Sequence, residues 1–377
     1  MMRMKFVYTW MVFLGGLFCS LAGSFSYGDT RKPNVILVML DGVRWQEFFH
    51  GSDSSISSEM NEPVIFKNIQ ESLKKQKQVN SGSKAGTALQ AFFVSGDRTS
   101  GSENSVSNHR FISLPAYQSI MAGVTTSCKT NSCGRVQVET LQEKIRRELK
   151  LKKTEVATIA SWEEIPNAVE HLEGQTFVNA GVQEIHEGML DATTLALNRK
   201  QSQNNGGWES RKDDYTFAQA VNYVKNNKPR FLFISLNDSD EWAHRGKYTE
   251  YVSTLKGYDK KIQVLFDTLG SMGAYGRATT VIVTTDHGRG NGSRWKDHGT
   301  SSPESKYFWI YGRSALGSPL GSPLGSTMVK RSGKDALPNT GGYTHLDIRP
   351  TIEKLMGLTP AQCEGCGRVI QELIAGS

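Results

Sequence analysis

Short apolar runs recur along the chain at residues 34–40, 91–94, 156–160, 231–236, 279–285 and 307–311. Each is rich in β-branched or aromatic residues and is bounded by polar or glycine-containing stretches, the pattern of a buried strand. The run at 34–40, Asn-Val-Ile-Leu-Val-Met-Leu, is continuous rather than alternating, as expected for a central parallel strand covered on both faces. Between these runs the apolar residues step by three or four. Tyr248, Tyr251, Leu255, Tyr258, Ile262, Leu265 and Leu269 draw one stripe, so 248–269 is predicted to be a long helix with its tyrosines in the core. Helices are also expected over 66–77, 139–150, 215–225 and 346–356. Strand alternating with helix means an α/β fold with a mostly parallel central sheet and helices on both faces. Residues 51–62, 96–108 and 198–214 are polar and read as loops, the last as a surface excursion. Residues 314–327, with Gly-Ser-Pro-Leu repeated at Gly317 and Gly321, read as a low-complexity surface loop. No linker divides residues 29–377, which are taken as one catalytic domain.

The first 28 residues have a different pattern. Arg3 and Lys5 precede an apolar stretch from Phe6 to Leu21, and the small residues Ala22, Gly23, Ser24 and Ser26 offer a cleavage site. The stretch is shorter than the roughly 20 residues of a membrane span. It is expected to be a signal peptide, which makes the protein periplasmic or secreted, with no span in the mature chain. Cys19 raises the alternative of a lipid-modified cysteine, although the large Phe18 precedes it. The other four cysteines fit export: Cys128 with Cys133 and Cys363 with Cys366 are each close enough to pair locally in an oxidising compartment. A zinc ribbon is the alternative.

Composition changes this picture little. The 377 residues are 38% hydrophobic and 21% charged, with a formal charge of +7. No basic block or interleaving of aromatics with Lys and Arg suggests a nucleic-acid module, so the positive balance points only to anionic substrates or surfaces.

The candidate chemistry lies where the apolar runs stop. Asp41-Gly42 follows the first. Asn237-Asp-Ser-Asp240-Glu-Trp-Ala-His244 follows the fourth, with Asp240 and His244 one helical turn apart. Asp286-His287-Gly288 follows the fifth, and Asp297-His298-Gly299 precedes the last. Ligands bind outside the carboxyl ends of strands in an open α/β sheet. Carboxylates and imidazoles gathered there suit a hard-to-borderline metal ion, whereas any one such pair could equally be a solvated turn. Asp41, Asp240, His244, Asp286, His287 and His298 suffice for two ions, with Ser113 as a bridging oxygen. Ser113 itself, in Ser-Leu-Pro115-Ala-Tyr117, could expose its hydroxyl beside helix N-terminal amides or be a plain N-cap.

The order Asp-Gly, Ser-x-Pro-x-Tyr, Asp-x-x-x-His, Asp-His-Gly and His-Gly resembles the alkaline phosphatase superfamily over residues 33–357. That superfamily includes nucleotide pyrophosphatase/phosphodiesterases, phosphopentomutases and cofactor-independent phosphoglycerate mutases. The resemblance implies two divalent ions, Zn²⁺ or else Mn²⁺. Asp41, Ser113, Asp286 and His287 would hold one, and Asp240, His244 and His298 the other. His345, in the segment resembling the family's closing helix, is the rival of His298. Ser113 would be the nucleophile, phosphorylated in passing, of a phosphatase or phosphodiesterase acting on a small phosphoester. Arg44, Arg289 and Lys296 could bind substrate oxygens or be surface charges. Sulfatases share the fold, but their motif resembles Cys/Ser-x-Pro-x-Arg, and Tyr117 stands here in place of that arginine. Two further readings stay open: a phosphomutase, suggested by the spacing of His287 and His298, and a non-catalytic metal-binding protein.

Overall fold

The computed structural model describes residues 33–82, 92–203, 210–314 and 342–374, all within one unit, Arg31–Ser377. The expected signal peptide and residues 315–327 of the expected low-complexity loop lie outside them. The described residues form nine strands: β1 Asn34–Leu40, β2 Phe92–Ser95, β3 Asn104–Ser105, β4 Val156–Ala160, β5 Phe177–Ala180, β6 Phe231–Leu236, β7 Thr279–Thr284, β8 Tyr307–Phe308 and β9 Ile310–Arg313. Seven make one sheet in the order β2-β9-β7-β1-β6-β4-β5, and β3 pairs with β8 in a separate ribbon. The five strands from β7 to β5 are parallel, and β9 runs antiparallel to both β7 and β2. The apolar run 307–311 is therefore not one strand: it divides at Trp309 between the ribbon and the sheet.

Because successive side chains of a strand point to opposite faces, the continuous run of β1 supplies two cores. Val35, Leu37 and Met39 pack with Leu114, Ile120 and Met121 of the helix Ser113–Ala122 and with Ile348 and Ile352 of the helix Ile348–Leu355. Ile36, Val38 and Leu40 pack with the stripe Tyr251, Leu255, Tyr258, Ile262 and Leu265 of the helix Tyr248–Ser271. Each large side chain so buried contributes roughly 1.5–3 kcal/mol. That outweighs the cost of about 1 kcal/mol for a glycine such as Gly257 inside the helix. The tyrosine hydroxyls are also used: that of Tyr251 accepts from the Arg44 amide, and that of Tyr258 donates to Asp213.

The polar segment 198–214 departs from its reading as a surface excursion. Its beginning is part of the helix Ala192–Gln203, and Arg211 is fully buried. The Arg211 guanidinium donates to the side chains of Asn179, Gln201 and Thr216 and to the carbonyl of Ala160. A buried cation needs such a complete set of acceptors. Both expected disulfides, Cys128–Cys133 and Cys363–Cys366, are formed. Among the described residues no helix is long and apolar enough to cross a membrane.

Candidate metal centre

β7, β1 and β6 are neighbours at the middle of the sheet, and their carboxyl ends are level. Met39 pairs with Thr284 and Leu40 with Leu236, so the residues just beyond all three strands open on one place. Asp41, Asp286 and the short helix Asp238–His244 stand there. Backbone bonds fix them. The Gly42 amide donates to Asp286 Oδ1 at 3.0 Å, the Val43 amide to Thr285 Oγ1 at 3.1 Å, and Ser239 Oγ to the Asp41 carbonyl at 2.6 Å. Gly42 has φ +63°, and a Cβ on it would lie 2.5 Å from Asp240 Oδ1. Only glycine meets both conditions without strain.

Ser113 is the first residue of its helix, and Ile112, not Ser113, is the N-cap. The hydroxyl is thus free of capping and turns to the site, 3.2 Å from His287 Nε2 and 3.4 Å from Asp41 Oδ1. The other Asp41 oxygen accepts from the Tyr117 hydroxyl at 3.0 Å, which itself meets Ser235 Oγ. Tyr117 stands out in the sequence only for the arginine that it replaces. Its spacing from Ser113, one helical turn, is the signal that it too could face the site.

Two sets of donors converge: the ligand atoms of Asp41, Asp286 and His287, and those of Asp240, His287 and His298, each lie within 4.8 Å of one another. The His287 and His298 rings stack with centroids 4.1 Å apart. His244 reaches the second set from the solvent side, its Nε2 lying 3.1 Å from Asp240 Oδ2 and 3.0 Å from His298 Nε2. The structure therefore places His287 between the two expected groups. His345 is elsewhere, buried, with its Nδ1 accepting from the Ser107 amide at 3.1 Å.

The donors fit a divalent cation. His287 Nδ1–H is held by the Gly288 carbonyl and His298 Nδ1–H by that of Phe111, so both rings present Nε2. Asp286 Oδ2 is buried without a hydrogen-bond partner. Burial, reinforced by the neighbouring Asp286 and Asp240, pushes the Asp41 carboxyl well above the usual range. Burial likewise raises Asp286 to about 7. The imidazoles shift the other way: burial takes His287 down to about 4 and His298 to about 3. Three carboxylates this close need cations, since two like charges 4 Å apart repel by about 4 kcal/mol at a dielectric constant near 20.

One cation is already present. Arg289 is fully buried, its Nη2 on Asp240 Oδ1 and its Nη1 on the Lys296 carbonyl. Burial opposes the Asp240 charge, but Arg289, followed by His244, holds its carboxyl well below the ordinary value. Arg289 is thus a partner of a ligand set and not a surface charge. Arg44 is not a surface charge either: its buried guanidinium donates to Glu47 at 3.0 Å and to Asp53 at 2.8 Å. The Lys296 side chain is exposed.

Residues 150–317 match the family described as Metalloenzyme superfamily; this stretch carries Asp240, His244, Asp286, His287 and His298. No curated protein matches the chain in sequence. Among solved structures, the fold is similar to a putative sulfatase from Bacteroides thetaiotaomicron, with a TM-score of 0.54 and 14% identity over 92% of this chain and 75% of that one. It is similar to the lipoteichoic acid synthase LtaP from Listeria monocytogenes, with a TM-score of 0.50 and 11% identity over 91% and 76%. The phosphonate monoester hydrolase of Agrobacterium radiobacter gives 0.50 and 12% over 92% and 77%. At such identities the likeness is one of fold. The chain thus has the alkaline phosphatase-like fold that the order of its motifs implied, with a Metalloenzyme superfamily match across the stretch that supplies five of its seven candidate ligands.

Proposed function

We propose that this chain is an exported metal-dependent hydrolase of phosphoric esters that works through a phosphoserine on Ser113. The observation that carries the reading is the Ser113 hydroxyl, uncapped at a helix N-terminus and within 3.4 Å of both Asp41 and His287. Asp41, Ser113, Asp286 and His287 would hold one divalent ion, Zn²⁺ or Mn²⁺, and Asp240, His244 and His298 the other. Such ions would offset the charge of the phosphoryl oxygens and acidify the Ser113 hydroxyl.

The chain's own groups do the rest. The helix N-terminus favours negative charge on Ser113 Oγ, and Tyr117 keeps Asp41 Oδ1 turned to it by engaging Oδ2. Ser113 Oγ gives up its proton to solvent and attacks phosphorus; the Oγ–P bond forms, the ester P–O bond breaks, and the leaving oxygen departs opposite the nucleophile and takes a proton from solvent to become the alcohol. Water then attacks phosphorus, the Oγ–P bond breaks, Ser113 Oγ regains a proton and the phosphate is released. The buried Arg289 adds positive charge beyond that of two ions set against three carboxylates, which suits an anionic substrate.

The sulfatase reading has the fold in its favour, since a putative sulfatase is among the similar structures. Tyr117, standing where the sulfatase motif has its arginine, argues for the phosphoester. Turnover of an aryl phosphate and an aryl sulfate by the metal-loaded protein decides between them. The expected result is phosphate release that chelation abolishes. Ser113→Ala should lower kcat at least a thousandfold and keep its metal, and acid quenching of the wild type should trap phosphate on Ser113. Aryl sulfate turnover alone, or phosphate trapped on another residue, would overturn the reading.

A further inference from the structure

The segment that follows the Ser113 helix is closed on itself. Cys128 and Cys133 are five residues apart and joined by a disulfide. The residues between them, Lys129, Thr130, Asn131 and Ser132, are all polar and exposed. Apart from the two cysteines, which pack against the core, the loop has no apolar side chain whose burial would offset the entropy of ordering it. The loop, and the glycine that follows it, are nevertheless tied to the catalytic helix at one point each. The amide of Leu114, the residue after Ser113, donates to Asn131 Oδ1 at 3.0 Å, and Gln118 Nε2 donates to the Gly134 carbonyl at 2.8 Å. Because Oδ1 accepts, the orientation of the Asn131 amide is fixed, and its Nδ2 has no protein partner among the described residues. The crosslink supplies the order that packing does not. The second disulfide, Cys363–Cys366, lies toward the other end of the same helix, where the Gly367 amide donates to the Gly123 carbonyl.

We propose that the Cys128–Cys133 disulfide is a redox-sensitive clamp that holds Asn131, a positioning residue, against the N-terminus of the Ser113 helix, and that its reduction by a dithiol lowers turnover at Ser113. This rests on the hydrolase reading above. The exchange starts at Cys133, which is partly exposed, whereas Cys128 is buried. A thiolate of the dithiol attacks Cys133 Sγ, giving a mixed disulfide and expelling the Cys128 thiolate. The second thiol of the reductant then closes its own disulfide and releases Cys133. Two electrons and two protons pass to the cysteine pair, which becomes two thiols. The loop then loses its closure, the Asn131–Leu114 bond weakens, and the amides about Ser113 are held less firmly. Loss of such orientation lowers the rate of the chemical step more than it weakens binding.

The test compares metal-loaded wild type with Cys128→Ser/Cys133→Ser, with Asn131→Ala, with the triple variant, and with Cys363→Ser/Cys366→Ser as control. No thiol is needed, so stripping of metal by the reductant does not confuse the result. The first two variants are expected to lose kcat about fivefold or more, with KM changed less than about threefold and metal content unchanged. The triple variant should be no worse than the poorer of the two, because both act through one contact. The control should stay within about twofold of wild type. Wild-type kcat in Cys128→Ser/Cys133→Ser, or losses that multiply in the triple variant, would overturn the clamp. Amide exchange at Leu114 is read in parallel and does not depend on activity. It should quicken about tenfold or more without the disulfide, and unchanged exchange also overturns the proposal. If the wild type hydrolyses no phosphoester, the function reading fails and the exchange result alone decides whether the clamp exists.

Discussion

His298 and His345 have the same side chain in opposite settings. His298 donates through Nδ1 to a carbonyl and turns Nε2 toward His244 and the carboxylates. His345 accepts through Nδ1 from the Ser107 amide, so its proton is on Nε2, which is buried without a partner. The first arrangement presents a lone pair to a cation, and the second spends its lone pair on the backbone. His298→Ala should therefore lose one equivalent of metal or bind it orders of magnitude more weakly. His345→Ala should keep the wild-type metal content and most activity while losing about 1–3 kcal/mol of stability with its buried contacts. Metal analysis and hydrolysis rate at one pH check both, and the reverse outcome would make His345 the ligand. His345 also has a pH signature. Burial lowers its pKa to about 3, below the roughly 6.5 of an unfolded histidine. Between these values the unfolded chain takes up a proton that the folded chain refuses, so stability falls as pH falls, by up to about 1.4 kcal/mol per unit. His345→Gln should flatten the stability profile between pH 6 and 4.

Among the elements, the turns after β1, β6 and β7 meet at Gly42, where a side chain would strike Asp240 and crowd Arg289. Gly42→Ala brings a left-handed residue with a Cβ, at about 1–2 kcal/mol, and displaces a metal ligand 198 positions away along the chain. The expected result is a lower melting temperature together with weaker binding at the Asp240 set, while Asp41, Asp286 and His287 keep their ion. Unchanged metal stoichiometry and affinity would mean that Asp240 is not a ligand. This junction explains what the sequence could show. Central parallel strands are buried on both faces, so β1, β4 and β6 stand out as apolar runs broken inside by no more than one small hydroxyl residue, Thr158 in β4 and Ser235 in β6, and the carboxylates that end β1 and β7 stand out against them. Edge strand β5, four residues with Asn179 inside, carries no such contrast and is not legible in the pattern. Arg211 and Arg44 look like solvated charges in the sequence, because the acceptors that bury them are set by tertiary folding, some of them close along the chain and some far away. The same holds for Arg289, whose partner Asp240 comes from another strand end. Local pattern therefore located the carboxylates and imidazoles, but the cations around them became legible only in three dimensions.

For the molecule as a whole, the fold sets three carboxylates together at the centre of a sheet, and this links metal binding to protons. In the metal-free protein, burial keeps Asp41 and Asp286 protonated at pH values where an ordinary carboxyl is ionised, Asp286 up to about 7. His287 and His298 are already neutral above about 4. Ligands must be deprotonated to bind a metal, so below pH 7 a cation displaces protons from the carboxyls and none from these two imidazoles. The direction follows: raised carboxyl pKa values favour the metal-free form at low pH, and metal affinity grows as pH rises. Each carboxyl that titrates contributes up to about a tenfold gain in affinity per pH unit. The apparent affinity for Zn²⁺ or Mn²⁺ should climb from pH 5 to 7, and the contribution of Asp286 should level off above that. Calorimetry in buffers of different ionisation enthalpy should show net proton release at pH 6 that diminishes by pH 8. Asp286→Asn should reduce both the release and the steepness, since its amide has no proton to lose in this range. An affinity that is flat from pH 5 to 7, or that rises only below pH 5 where the imidazoles titrate, would show that these carboxyls are ionised in the metal-free protein. It would also show that the positive charge of Arg289 is enough to hold all three together.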